Sequence, residues 1–130
     1  MNNVATLDSS FIIAALLPFE EKYKEAIDFL SRVLKGELTA IQPFSVLVEV
    51  VGAIKRRTGS TELANKVKDK LLGSVNLIFV EINKPLALKA ANITAEIGLR
   101  GMDAIVFATA KEYKTLLKTY DKEMLKRMEK

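Results

Sequence analysis

The chain has 130 residues, 49% hydrophobic and 28% charged, with a net charge of +4; that is enough for one domain with a real core, and it permits an acidic partner such as nucleic acid without requiring one. It contains no cysteine and no histidine, which excludes disulfides, zinc ribbons, thiol catalysis, serine–histidine triads and imidazole acid–base chemistry. Any enzymology must run on carboxylates, hydroxyls, lysines or hard metal ions.

Val4–Asp8 (VATLD) is a short, partly β-branched apolar run ended by turn-prone residues, and it predicts a strand. Ser9 and Ser10 start a helix through Leu17, stopped by Pro18. The apolar stretch Phe11–Leu17 is far shorter than the ~18 residues of a membrane span. No basic residues precede it, so neither a signal peptide nor a membrane location is expected, and the expected compartment is the cytoplasm. Phe19–Lys35 carries Tyr23, Ala26, Ile27, Leu30, Val33 and Leu34 at helical spacing and ends at Gly36. Leu38–Ile41 predicts a second strand, closed by Pro43. Val46, Leu47, Val50, Val51 and Ile54 then mark a helix running to about Arg57. Glu49 lies inside it, with Ser45, Val46, Gly52 and Ala53 one turn away. Most of these neighbours are small, which leaves room for a substrate or ion.

Ser60–Leu72 predicts a further helix, and Val75–Ile82 a third strand. Asn83 and Pro85 start a helix through roughly Leu99. Gly101–Ala110 (GMDAIVFATA) reads as an almost wholly apolar helix, expected to be buried, with the charged Asp103 at its mouth. Thr115–Thr119 gives a last strand, followed by Asp121 and a short charged helix. Lys114, Lys118, Lys122 and Lys126 are spaced four apart. Because Lys118 falls in the predicted strand, a solvated surface is preferred to a phosphate track. The glycines form neither a dinucleotide fingerprint nor a phosphate loop.

Strands alternate with helices throughout, which predicts one α/β domain over 1–130 with a mainly parallel sheet of four or five strands. In such a sheet, strand C-termini and the helix N-termini that follow them share one edge, where ligands bind. Asp8, Glu49, Asp103 and Asp121 all map to that edge. Singly, Asp8 and Asp103 read as helix caps and Glu49 as a solvent-facing helix former. Jointly they populate one place. Two unit charges about 4 Å apart repel by roughly 4 kcal/mol at an effective dielectric near 20. Four carboxylates together therefore need raised pKa values or a cation, and an all-oxygen donor set favours Mg²⁺ or Mn²⁺.

The chain resembles the PIN-domain family, and within it the compact VapC-type toxin ribonucleases. The resemblance rests on Leu7-Asp8-Ser9-Ser10, on Ser45 followed four residues later by Glu49, on Gly101-Met102-Asp103-Ala104-Ile105 continuing to Ala108-Thr109-Ala110, and on Leu117-Lys118-Thr119-Tyr120-Asp121. It covers essentially the whole chain. It implies a three-layer αβα sandwich and a Mg²⁺- or Mn²⁺-dependent endoribonuclease. Asp8, Glu49, Asp103 and Asp121 match the acidic quartet. The resemblance makes Asp8 and Asp103 direct metal ligands. It leaves Glu49 and Asp121 to bind a second ion, hold metal water or orient the nucleophile. Ser10 and Thr119 match polar positions that support the acids, although relatives commonly carry asparagine where this chain has Ser10. Also implied are an RNA substrate, a homodimer and a small antitoxin protein that holds the toxin inactive. The alternative reading is a catalytically inactive PIN-like module that binds a partner protein or RNA. A receiver-like phosphoacceptor fits less well, because Asp8 is the only acid before Glu20.

Overall fold

The computed structural model describes residues 4–128. Four strands, β1 (Val4–Leu7), β2 (Thr39–Pro43), β3 (Leu77–Val80) and β4 (Leu116–Lys118), form one sheet in the order β3-β2-β1-β4. All three pairings are parallel. The helices are α1 (Ser9–Leu16), α2 (Tyr23–Leu34), α3 (Phe44–Thr58), α4 (Thr61–Leu72), α5 (Lys84–Ile97), α6 (Gly101–Tyr113) and α7 (Lys122–Met128). The result is the three-layer α/β sandwich that the sequence pattern and the resemblance both pointed to. Among the described residues, no helix is long and apolar enough to cross a membrane.

β1 is a central strand, and Ala5, Thr6 and Leu7 are all buried, as expected for a parallel strand covered on both faces. α6 lies along β1, β2 and β4 and packs on α5, while α1 packs on α2 and α3, and α3 and α4 reach β3. Leu7, Ile12, Leu30, Val46, Ile54 and Val106 are essentially inaccessible within this core. On α6, Ala104, Val106 and Ala108–Ala110 are buried, but Met102 is exposed and Ile105 and Phe107 are only partly covered. An apolar composition thus overstates how much of this helix is enclosed.

Several boundaries differ from the sequence pattern for physical reasons. α2 begins at Tyr23 rather than Phe19. Pro18 forces the residue before it out of the helical region, and Leu17 is extended at φ −119°, ψ 102°. The chain then needs two turns, with Glu20 N donating to Leu17 O and Tyr23 N to Glu20 O, before a helix restarts. β3 is shorter than Val75–Ile82: Leu77 N is still engaged in a turn with Ser74 O, and Asn76, whose carbonyl accepts from Ala40 N, adds side-chain contacts to Leu38 O at 3.1 Å and Thr39 Oγ1 at 3.3 Å. β2 runs later than expected and ends on Pro43, which leads directly into α3.

The only glutamine of the sequence has a role the pattern did not suggest. Gln42 is fully buried in the middle of the sheet. Its Nε2 donates to Ile78 O at 2.9 Å, and its Oε1 accepts from Leu7 N at 3.4 Å. It therefore stitches β3 to β1 across β2, next to the residue that precedes Asp8. Replacing Gln42 with Met, which keeps length and volume, leaves a buried carbonyl and a buried N–H without these partners. The expected cost is about 1–3 kcal/mol of stability, read as a lower urea midpoint with an unchanged m-value. An unchanged midpoint would mean that the backbone groups find other partners.

Candidate active site

The chain leaves β1 toward β2 on one side and arrives at β4 on the other, so the strand order reverses between β1 and β4. A crevice opens outside the carboxyl ends of strands at such a point. Asp8 follows β1 directly and Asp121 lies three residues past β4. Leu7 pairs with Lys118, and Asp8 N extends that ladder by donating to Lys118 O at 2.9 Å.

Asp8 is 3% exposed. A buried carboxylate is costly unless it is hydrogen-bonded, and two hydroxyls meet that need. Ser10 Oγ donates to Asp8 Oδ2 at 2.9 Å and Thr119 Oγ1 donates to the same oxygen at 2.8 Å. Each hydroxyl has one proton, and both protons are spent on Asp8. Their lone pairs accept backbone N–H groups in turn, Ser10 from Tyr120 at 2.9 Å and Thr119 from Asp121 at 3.0 Å. Both side-chain bonds fall on Oδ2, leaving Oδ1 uncommitted among the described contacts. Asp8 stands at the N-cap position of α1 but its side chain makes no cap bond, so capping does not explain it.

Tyr120 reinforces the clasp. Its ring stacks on Phe11 of α1 at 5.1 Å between centroids, and its phenol donates to Glu25 of α2. Burial and that carboxylate push the phenol above its ordinary pKa.

Asp103 lies in the first turn of α6, where the capping residue is Arg100. Its negative charge suits the positive helix end. Even so, its carboxyl is raised from 3.8 to about 6, by burial first and then by the charges of Asp8, Asp121 and Glu49. Glu49 is also raised, by burial first, with Asp8 and Asp121 adding to the rise and the Ser9 hydroxyl opposing it. Asp8 and Asp121 thus both act on Asp103 and on Glu49, and Glu49 acts on Asp103. Asp121 does cap a helix: its Oδ1 accepts from Met124 N at 3.0 Å. It lines the cleft as well. That cleft, of about 420 Å³, is bounded by Gly98, Leu99, Arg100, Asp103, Asp121, Glu123 and Arg127, and its lining includes neither Asp8 nor Glu49. Among these, Arg100, Glu123 and Arg127 did not stand out in the sequence: Arg100 reads as part of a tight connection, and isolated charges on a helix such as Glu123 and Arg127 read as solvated surface. Ser9 was read there only as a helix start. The four spaced lysines share no face: Lys118 is on β4 with its ammonium 5.0 Å from the Phe29 ring centroid, whereas Lys122 and Lys126 are on α7.

The donor set is oxygen only, which suits a hard divalent ion. Among the described residues, no three acids are grouped tightly enough to hold an ion by themselves. That is compatible with Mg²⁺, which keeps several waters and takes one or two carboxylates. The raised Asp103 is the other sign of fit, since a cation would relieve the repulsion it feels.

A PIN-domain family model matches residues 5–130. The chain belongs to the PIN-domain family. Proteins of this family are nucleases. The fold is similar to the crystal structure of VapC20 of Mycobacterium tuberculosis, described as a toxin that cleaves the sarcin–ricin loop. The TM-score is 0.76 at 16% identity, over 95% of this chain and 93% of that one. No match to the sequence was found among curated proteins.

The crowding of acids has a measurable consequence. Asp103 binds its proton more tightly folded than unfolded, so without metal the native state loses stability as pH rises through the interval from 3.8 to about 6. Asp103→Asn removes that cost. In EDTA at about pH 7.5 the variant should be more stable than the wild type by about 1 kcal/mol, after allowing for solvent screening of a half-buried group. The difference should shrink toward zero near pH 4, where both side chains are neutral. Thermal melting at the two pH values checks this, and equal melting at the higher pH would argue against mutual repulsion.

Proposed function

We propose that the chain is a Mg²⁺- or Mn²⁺-dependent endoribonuclease formed as one PIN-like domain over 1–130. In this reading it is the toxin of a toxin–antitoxin pair, works in the cytoplasm as a homodimer and is restrained by a small antitoxin protein. The observation that carries the proposal is the clasped Asp8 at the β1–β4 crevice, with the charges of Asp8 and Asp121 acting on both Glu49 and Asp103. The printed description of VapC20 supports the toxin part of the reading.

Asp8 and Asp103 would hold the ion. Ser10 and Thr119 keep Asp8 Oδ2 occupied, so Oδ1 is the oxygen left for it. Asp121 has Oδ1 engaged with α7 and keeps Oδ2 for the site. When bound, a divalent ion acidifies water and offsets charge developing on phosphate. Glu49, with its raised pKa, is suited to take the proton given up by the attacking water. Attack at phosphorus breaks the P–O3′ bond and leaves a 5′-phosphate on one fragment and a 3′-hydroxyl on the other. Attack by the RNA 2′-hydroxyl would instead leave a cyclic phosphate, a route usually run by an acid–base pair with no counterpart in a chain without histidine.

The deciding assay is cleavage of a mixed-sequence single-stranded RNA with Mn²⁺, with Mg²⁺ and with EDTA. Cutting is expected with metal and not with EDTA, with 5′-phosphate ends. Asp8→Asn and Asp103→Asn should abolish it in folded protein, and Glu49→Gln should slow it about 10²-fold or more. Cyclic-phosphate ends would overturn the water mechanism. Full activity in any variant would remove that residue from the site.

Metal binding is tested separately. Millimolar Mn²⁺ should raise the melting temperature of the wild type, because the ion binds only the folded state, and should do so much less for Asp8→Asn. Metal binding without cleavage of any RNA offered would favour the inactive binding module.

A further inference from the structure

The cleft beside Asp103 and Asp121 carries two guanidinium groups that the quartet does not need. RNA delivers a row of phosphates to this cluster, and the carboxylates repel each of them. A metal ion offsets that charge at the centre, but the neighbouring phosphates need cations of their own. We propose that Arg100 and Arg127 form an anion subsite on the rim of this cleft, taking a phosphate of the RNA adjacent to the one cut. The identity of the ligand rests on the nuclease reading above; the placement of the two arginines does not.

Arg127 is held rather than trailing. Its Nε donates to Glu123 Oε2 at 2.6 Å, one turn earlier on α7. That contact uses one edge of the fork and leaves the Nη groups. Nη1 approaches Gly98, where a Cβ would lie only 3.2 Å from it. Gly98 has φ +74° and ends α5, so a residue without a side chain stands where the guanidinium crosses from α7 to the α5–α6 turn. Arg100 enters the same cleft from that turn. Arg100 and Arg127 therefore share one cleft with Asp103 and Asp121. Arginine suits this role because its planar fork matches phosphate oxygens and it never loses its charge. Glu123 is thus a positioning partner that fixes the fork through the Nε contact.

The test is equilibrium binding of mixed-sequence single-stranded RNA to the full chain in EDTA, over a range of salt. Arg127→Ala should weaken binding about tenfold and lower the slope of log K against log salt by about 0.7, the value of one phosphate contact on a single strand. Arg100→Ala with Arg127→Ala should lower it further. Arg127→Lys loses the fork but keeps the cation, so its slope should stay near the wild type. Lys66→Ala, on exposed α4, is the reference and should change nothing. A wild-type slope in Arg127→Ala overturns the subsite, as does an equal loss of slope in Arg127→Lys, which would assign the effect to the lost ion-pair geometry rather than to the cation. Absence of measurable RNA binding overturns it too. The two readings fail separately. Arg127-dependent binding of RNA that metal never cuts keeps the subsite and removes the nuclease. Metal-dependent cutting with an unchanged slope does the reverse.

Discussion

Segments 111 residues apart in the chain meet at one carboxylate oxygen, Asp8 Oδ2, through Thr119. That contact exists only because β1 and β4 pair in parallel and in one register. A shift of β4 by a single residue would turn Thr119 to the opposite face, withdraw a donor from a buried charge and carry Asp121 away from the crevice. Ser10 adds a second constraint from the other direction, since its hydroxyl joins Asp8 to the backbone of Tyr120. Much of the surrounding packing serves to hold this register. Gln42 ties the strand before Asp8 to the far edge of the sheet, and the Tyr120 ring fixes the segment that follows β4 to α1.

The geometry that builds the site also works against the protein's stability. Asp103 and Glu49 are both displaced toward neutrality by burial and by the charges of the other acids. Strain of this kind costs free energy in the metal-free protein above about pH 6 and is released when a cation arrives. It also fits the chemistry. A carboxylate of raised pKa is a better proton acceptor near neutral pH than an ordinary one. One environment therefore disfavours the metal-free fold and, in the proposed function, would ready the site for a cation and a phosphate.

The sequence carried the architecture well, because buried strands and amphipathic helices leave periodic apolar signals. It also singled out the four acids as candidates: Asp8 and Asp121 each follow a strand and precede a helix, Asp103 opens a helix that follows another helix, and Glu49 lies inside one. Asp8 and Asp103 could be read as caps there, and only coordinates separate the two uses: neither is the residue bonding the first turn, whereas Asp121, for which no cap was suspected, is. What sequence could not carry is anything set by long-range register. Gln42 looks like any polar strand residue until its partners on two other strands are known. Arg127 looks like an ordinary i,i+4 partner of Glu123 until α7 is seen packed across the turn at Gly98.

α7 shows how closely structure and chemistry are joined here. Seven residues are too few to hold a helix in water by propensity alone. Two contacts compensate. Met124 is fully buried in the core, and the Asp121 carboxylate caps the helix through Met124 N, a bond of a kind that contributes roughly 1 kcal/mol. The acid that completes the cluster is thus the acid that secures the last helix, and that helix in turn holds Arg127 over the cleft. An asparagine at 121 would keep the cap and lose the charge, since both side chains cap well; an alanine would lose both. Because cap and charge can be removed independently at this one position, the structural and chemical roles of Asp121 are separable by experiment even though the fold has merged them.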